Sequence, residues 1–113
     1  MTAATALPVT EAEWQQQVID LAHAYRWQHC HVRRTRGRNS GWVTGTSVTG
    51  WPDLMLWSEF RKRLIFVELK SETGKVRPEQ ERVLASLAAA GQEVFVWRPS
   101  DLEAAHAELR RAG

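Results

Sequence analysis

A mixed α/β fold is predicted for this chain, in the order helix, three strands, helix, strand, helix. Three observations predict it. Apolar residues recur at helical spacing between Glu11 and Arg26. Three strand-like runs follow, at Trp27 to Arg34, Asp53 to Ser58 and Arg63 to Lys70, the last two carrying apolar cores and each short enough for a strand. A strand-helix-strand unit then closes the chain, and such a unit crosses over right-handed in a mixed sheet.

The elements can be justified in order. Residues 1 to 9 are small and apolar and read as a flexible N-terminal arm, leaving residues 10 to 113 as one domain. Thr10 is the N-cap of helix 1, and Glu13 completes a capping box. Trp14, Val18, Leu21, Ala22 and Tyr25 form the apolar stripe of that helix. Glu11 and Gln15 share this face, so Glu11 can look inward; it can equally be a first-turn acid favoured by the helix dipole. Strand 1, Trp27 to Arg34, contains His29-Cys30-His31. Strand alternation puts both histidines on one face and Cys30 on the other, so the three cannot chelate one ion. His23 and His106 stand alone in the sequence, and Cys30 reads as a small core residue.

Thr35 to Gly50 carries four of the seven glycines and reads as a long loop. Arg33, Arg34, Arg36 and Arg38 lead into it. They suit contacts to a phosphate backbone, or a solvated basic surface. Gly45 to Gly50 is not a phosphate-binding P-loop, because Trp51-Pro52 follows it instead of Lys-Ser/Thr. Strands 2 and 3 are joined by the charged turn Glu59 to Lys62. Helix 2 starts at Pro78, with Glu79 and Glu81 in its first turn, and Gly91 ends it. Gln80, Val83, Leu84 and Leu87 share its inner face, where Gln80 either caps the helix or serves a site. Strand 4 runs from Glu93 to Arg98, Pro99 breaks it, and Ser100 caps a last helix through Arg111. Trp14, Trp27, Trp57 and Trp97 fall on elements and read as core, whereas Trp42 and Trp51 lie in or beside the glycine loop.

The chemistry concentrates in Gly50-Trp51-Pro52-Asp53-Leu54 and Glu68-Leu69-Lys70. Asp53 opens strand 2, and Glu68 and Lys70 share one face near the end of strand 3. Converging charges are costly to bury without a partner, and a divalent cation between Asp53 and Glu68 is the natural one. The bland alternative is a Glu68–Lys70 surface ion pair with Asp53 as a turn acid.

The ordered set Glu11, Gly50 to Leu54, Glu68 to Lys70, Gly74 with Gln80, and Gly91 with Val94 resembles the virus-type replication-repair nuclease (VRR-NUC) branch of the PD-(D/E)XK nucleases. The resemblance covers residues 10 to 100. It implies a restriction-endonuclease-like αβββαβ core and a Mg²⁺- or Mn²⁺-dependent endodeoxyribonuclease. Free-standing, phage-type members of this size point to a Holliday-junction-resolving enzyme that acts as a homodimer. A restriction-like or flap-nicking nuclease and a non-catalytic DNA-binding module are the alternatives. On this resemblance Asp53, Glu68, the Leu69 carbonyl and Glu11 are metal ligands. Lys70 orients the attacking water, Gln80 completes the site, and Arg33, Arg34, Arg36, Arg38, Lys75 and Arg77 contact DNA.

Bulk properties agree with these expectations. The net charge is +2 and the pI about 9.1, compatible with a nucleic-acid partner. A single cysteine excludes an intramolecular disulfide and suggests a reducing compartment. The resemblance implies the cytoplasm of a bacterial or phage-infected cell, in association with the nucleoid. No apolar run approaches the ~20 residues of a membrane span, and Met1 to Pro8 lacks the pattern of a signal peptide.

Overall fold

A computed structural model of the chain describes residues 9–32 and 47–113 in full and residues 34–36 and 42–44 as backbone. The first element is helix α1, Glu11–Ala24, whose capping box forms as expected. Glu13 N–H donates to Thr10 Oγ1 and Thr10 N–H to Glu13 Oε1, each at 3.1 Å. Its C-terminus closes on Arg26, in the left-handed region at φ 69°, with Trp27 N–H reaching back to the Ala22 carbonyl.

Strand β1, Gln28–His31, is shorter than the sequence suggests. The chain then leaves the main sheet instead of continuing to Arg34. Arg34–Arg36 (β2) and Trp42–Thr44 (β3) pair antiparallel as a separate two-stranded sheet, with Thr35 opposite Val43. The expected structureless loop is therefore partly a ribbon. Its short β-branched and aromatic runs were obscured by the surrounding glycines and arginines.

Strands β4 (Leu54–Ser58) and β5 (Arg63–Leu69) form a hairpin that turns at Lys62, φ 56°. Helix α2 (Pro78–Ala89) crosses back to strand β6 (Glu93–Trp97), which pairs parallel with β5. Gly91, at φ 89°, ends α2 in a Schellman arrangement, with Gln92 N–H on the Leu87 carbonyl and Gly91 N–H on that of Ala88. A 3₁₀ turn at Pro99–Asp101 leads into helix α3, Leu102–Arg110. Asp101 rather than Ser100 stands at the N-cap of α3, and its Oδ2 accepts Arg98 N–H at 2.8 Å across the 3₁₀ turn instead of capping the helix.

The main sheet has the order β1-β4-β5-β6 and is mixed, as predicted. One face is the core: Leu54, Leu56, Ile65, Val67 and Leu69 pack with Trp14, Val18, Ile19 and Ala22 of α1, Ala105 and Leu109 of α3, and Trp27 and Trp97. Arg63 anchors the far end of this layer. It is bidentate to Glu93, at 3.0 and 2.7 Å, and 2.9 Å from Glu108. The opposite face carries Phe66 and Glu68, and α2 covers it through the buried Gln80 and Leu84. Away from α2 this face is open. Cys30 lies there opposite Met55 and is exposed, contrary to the core position expected for it. Trp57 is half-buried for the same reason, whereas Trp14, Trp27 and Trp97 are core. His23 does not stand alone either: its Nε2 lies 2.9 Å from His29 Nδ1, because the end of α1 packs over β1. His106 Nδ1 is 3.0 Å from the Tyr25 hydroxyl.

Candidate active site

The site grows from the register of β4 and β5. Leu54 pairs with Val67, so one further step places Asp53 opposite Glu68. Asp53 continues the ladder on its other side too, its carbonyl accepting Val32 N–H at 3.1 Å. Its carboxylate Oδ2 accepts the Leu69 N–H at 2.9 Å, which ties the start of β4 to the end of β5. Two carboxylates thus face each other between paired strands.

Glu68 is 1 % exposed. Its Oε2 accepts Gln80 Nε2 at 3.0 Å and lies 3.4 Å from Lys70 Nζ. Its Oε1 is buried without a hydrogen-bond partner. Burial, reinforced by the neighbouring Asp53 carboxylate and only partly offset by Lys70, pushes the Glu68 carboxyl up to about 8. Two carboxylates share one ammonium here, and a buried acceptor is left without a donor, so the site has room for further positive charge. Oxygen donors of this kind suit a hard divalent cation, which commonly takes one or two protein carboxylates and completes its shell with water and phosphate.

Gln80 both caps its helix and serves the site. Its Oε1 accepts Arg77 N–H at 2.9 Å, closing the first turn of α2, while its Nε2 faces Glu68. Gly50 makes that approach possible. It has φ +93°, and a Cβ there would lie 2.5 Å from the Glu79 carbonyl oxygen. The turn before Pro52 therefore packs directly on the first turn of α2. Trp51 lies edge-on to Phe66, with ring centroids 5.8 Å apart.

Lys70 is 6 % exposed, and its N–H donates to the Trp97 carbonyl at 3.1 Å. The same carbonyl accepts the Trp14 indole N–H at 2.9 Å. This brace from α1 to the end of β5 is invisible in the sequence, where Trp14 reads only as an apolar core residue.

The structure does not bring every expected residue together. Glu11 is exposed in the first turn of α1. Among the described residues no group of three His, Cys, Asp or Glu side chains could hold a metal ion, so Glu11 does not join Asp53 and Glu68. Glu13 is committed to its capping box. Lys75 and Arg77 are exposed between β5 and α2, Arg77 lying 4.0 Å from Glu79. Arg33 and Arg38 lie outside the described residues, and Arg34 and Arg36 are described only as the backbone of β2. No described helix is long and apolar enough to cross a membrane.

The family model of the VRR-NUC domain matches residues 5–101. The chain belongs to the VRR-NUC family. A search of curated proteins finds no match. Membership makes this chain a nuclease domain of the PD-(D/E)XK type, with DNA as the implied substrate and a fold in keeping with its four-stranded mixed sheet. Nucleases of this type generally use divalent metals. In this VRR-NUC chain Pro52-Asp53 and Glu68-Leu69-Lys70 are the residues that match the motif.

Proposed function

We propose that the protein is a metal-dependent endodeoxyribonuclease that cuts branched DNA, resolving four-way junctions as a homodimer. The observation that carries the metal dependence is the buried, unpartnered Glu68 Oε1 beside Asp53. Asp53 and Glu68 would hold a Mg²⁺ or Mn²⁺ ion, with the Leu69 carbonyl as a further oxygen donor. The ion supplies Lewis-acid charge at the phosphoryl group.

The protein's own groups do the rest. Gln80 and Lys70 occupy Glu68 Oε2 and so hold the carboxylate, leaving Oε1 as the oxygen that would be available to a cation. Lys70 presents an ammonium at the scissile phosphate, where it stabilises developing negative charge and orients the attacking water. Asp53 is held in place by the Leu69 N–H before any ligand arrives, so no reorganisation is needed. Lys75 and Arg77 beside α2, with Arg33, Arg34, Arg36 and Arg38 in and around the β2–β3 ribbon, contact the phosphate backbone. The protein works in the cytoplasm, at the nucleoid.

A panel of linear duplex, flap and four-way DNA, incubated with Mg²⁺, Mn²⁺ or a chelator, tests this reading. Symmetric cuts in the four-way substrate, dependent on the cation, are expected. Preference for flap or duplex would replace junction resolution with strand nicking. Cleavage in chelator would remove the metal from the mechanism.

A further inference from the structure

The segment between Lys70 and α2 is a polar stretch, Ser71 to Arg77, that no regular element holds in place. Its conformation is set from outside. Arg98, just past the end of β6, directs Nη1 at the carbonyl oxygens of Ser71 and Gly74, each at 2.6 Å, and lies 3.4 Å from that of Glu72. A second tie runs the other way, with Ser100 N–H donating to the Glu72 carboxylate. Within the segment, Gly74 N–H donates to Ser71 Oγ at 3.0 Å.

The strapped backbone lies on Lys70. A Cβ on Gly74 would stand 3.7 Å from Lys70 Cδ, in ordinary contact with the lysine stem, and a tight 3.0 Å from Ser71 Oγ. Lys70 is in turn buried with its ammonium 3.4 Å from Glu68 Oε2. A lysine has a long flexible stem and a compact charge, and nothing in its own covalent geometry fixes where that charge sits. The roof made by Ser71 to Gly74 does so here, and Arg98 holds the roof.

We infer that Arg98 is a positioning residue for Lys70, fastening the Ser71–Gly74 backbone over the lysine stem so that the ammonium stays beside Glu68. The inference rests on the nuclease reading only for its kinetic consequence. Arg98 touches neither Glu68 nor Asp53; it acts through carbonyl oxygens of the strap. Both short contacts come from one guanidinium nitrogen, whose two N–H groups suit two carbonyls, and the Arg98 backbone is held by its N–H on Asp101 Oδ2.

Two measurements test it on the full chain. The first is a kinetic cycle of Arg98→Ala, Lys70→Ala and the double variant on a cleavable DNA. Misplacement of a catalytic group by about an ångström costs up to on the order of a hundredfold, so Arg98→Ala should lower kcat about tenfold or more with KM little changed. In the Lys70→Ala background the same substitution should cost less than about twofold, because the group it positions is gone. Multiplicative losses would overturn the proposal.

The second measurement needs no activity. Reductive methylation with formaldehyde and cyanoborohydride, followed by peptide mass spectrometry, reads the accessibility of each lysine. Lys70 should be protected in the wild type and should label several-fold faster in Arg98→Ala, while exposed Lys62 labels equally in both. Unchanged protection of Lys70 would overturn the proposal. Should Arg98→Ala unfold, Arg98→Lys serves instead: it keeps the charge with a shorter reach and should give intermediate labelling and rate, whereas wild-type values for both would sink the idea. If the wild-type chain cleaves no DNA, the nuclease reading falls and the labelling result decides the role of Arg98 alone.

Discussion

Gln80 Nε2 donates to Glu68 Oε2 across 3.0 Å, with both side chains 1 % exposed. This bond joins the first turn of α2 to the end of β5. It leaves Glu68 Oε1 as the carboxylate oxygen without a hydrogen-bond partner, while Oε2 is shared between an amide and an ammonium. An amide is the group suited to this place. It donates to the carboxylate with one atom and accepts the Arg77 N–H with the other, without adding charge.

Gln80→Leu keeps similar bulk but removes both bonds. A buried carboxylate loses its neutral donor and a helix N-terminal N–H loses its acceptor. Each loss is worth about 1–2 kcal/mol. The melting temperature should fall by several degrees and the cleavage rate should drop as Glu68 loses its orientation. A variant with wild-type melting and wild-type kcat would show that the contact contributes to neither.

Asp53→Ala and Glu68→Gln should each reduce cleavage by roughly a thousandfold or more while DNA affinity is retained. The motivation is the proposed role of both carboxylates in holding a cation, with no assigned contact to the phosphate backbone. Several kcal/mol of transition-state stabilisation corresponds to a loss of that size. Single-turnover rates with fluorescence anisotropy for binding check this. Cleavage within a few-fold of wild type by either variant would remove it from the site.

The carboxyl of Glu68 makes the metal-free protein pH-sensitive. Its folded value, about 8, lies above the ordinary 4.5, so the folded state holds this proton more tightly than the unfolded chain. The stability it contributes is complete below pH 4.5 and is lost as pH rises through about 8. His29, held low by burial and by its neighbours His23 and His31, contributes in the opposite sense on the acid side of its usual 6.5. The difference between wild type and Glu68→Gln isolates the glutamate. In chelator, the melting temperature of wild type should fall relative to that of Glu68→Gln between pH 5 and 9. Adding Mn²⁺ should recover the loss, most strongly at high pH, because binding requires the ionised form. A parallel pair of pH curves would refute the assignment.

Gly50 and Gly91 offer a comparison at nearly equal backbone angles, φ +93° and +89°. A Cβ at Gly91 meets nothing within 4 Å, whereas at Gly50 it meets the Glu79 carbonyl oxygen at 2.5 Å. Gly91→Ala should therefore cost only the left-handed backbone term, about 1 kcal/mol. Gly50→Ala should cost about 2–3 kcal/mol and should also lower the cleavage rate, since it pushes the turn that leads to Asp53 off the first turn of α2. Urea denaturation of the two variants decides it, and equal losses would mean that the close approach carries no energy.

Much of this was legible in the sequence. Strand alternation put Glu68 and Lys70 on one face, and the spacing of Gln80, Val83, Leu84 and Leu87 put the glutamine inward. Both hold because period and burial are local properties of a strand or helix. The failures came where distant parts meet. Cys30 sits in a strand, yet its part of the sheet face lies beyond α2, and only topology decides that. His23 met His29 because α1 packs back over β1. The strap from Arg98 to Ser71 and Gly74 runs through backbone carbonyls, which carry no sequence signature at all. Glu11 lay on the correct helical face, but the first turn of α1 leaves it exposed.

The assembly is the remaining question the chain's own arithmetic poses. One chain carries one Asp53, Glu68 and Lys70 set, and resolving a four-way junction takes two cuts on opposing strands. Two copies related by a two-fold axis would match the symmetry of the junction and present two sites to one DNA face. The sheet face beyond α2 has apolar surface to contribute, with half-buried Trp57 and exposed Leu64 side by side across the β4–β5 register. Light scattering at micromolar protein should then give about twice 12.9 kDa. On a cruciform plasmid the dimer should yield linear product without a preceding build-up of nicked circles. Leu64→Glu should shift the mass toward the monomer and convert the product to nicked circles while leaving the Asp53–Glu68 site intact. A monomeric mass for the wild type, or nicked circles that accumulate first, would make the enzyme a single-strand nicker and leave junction resolution to some other arrangement of chains.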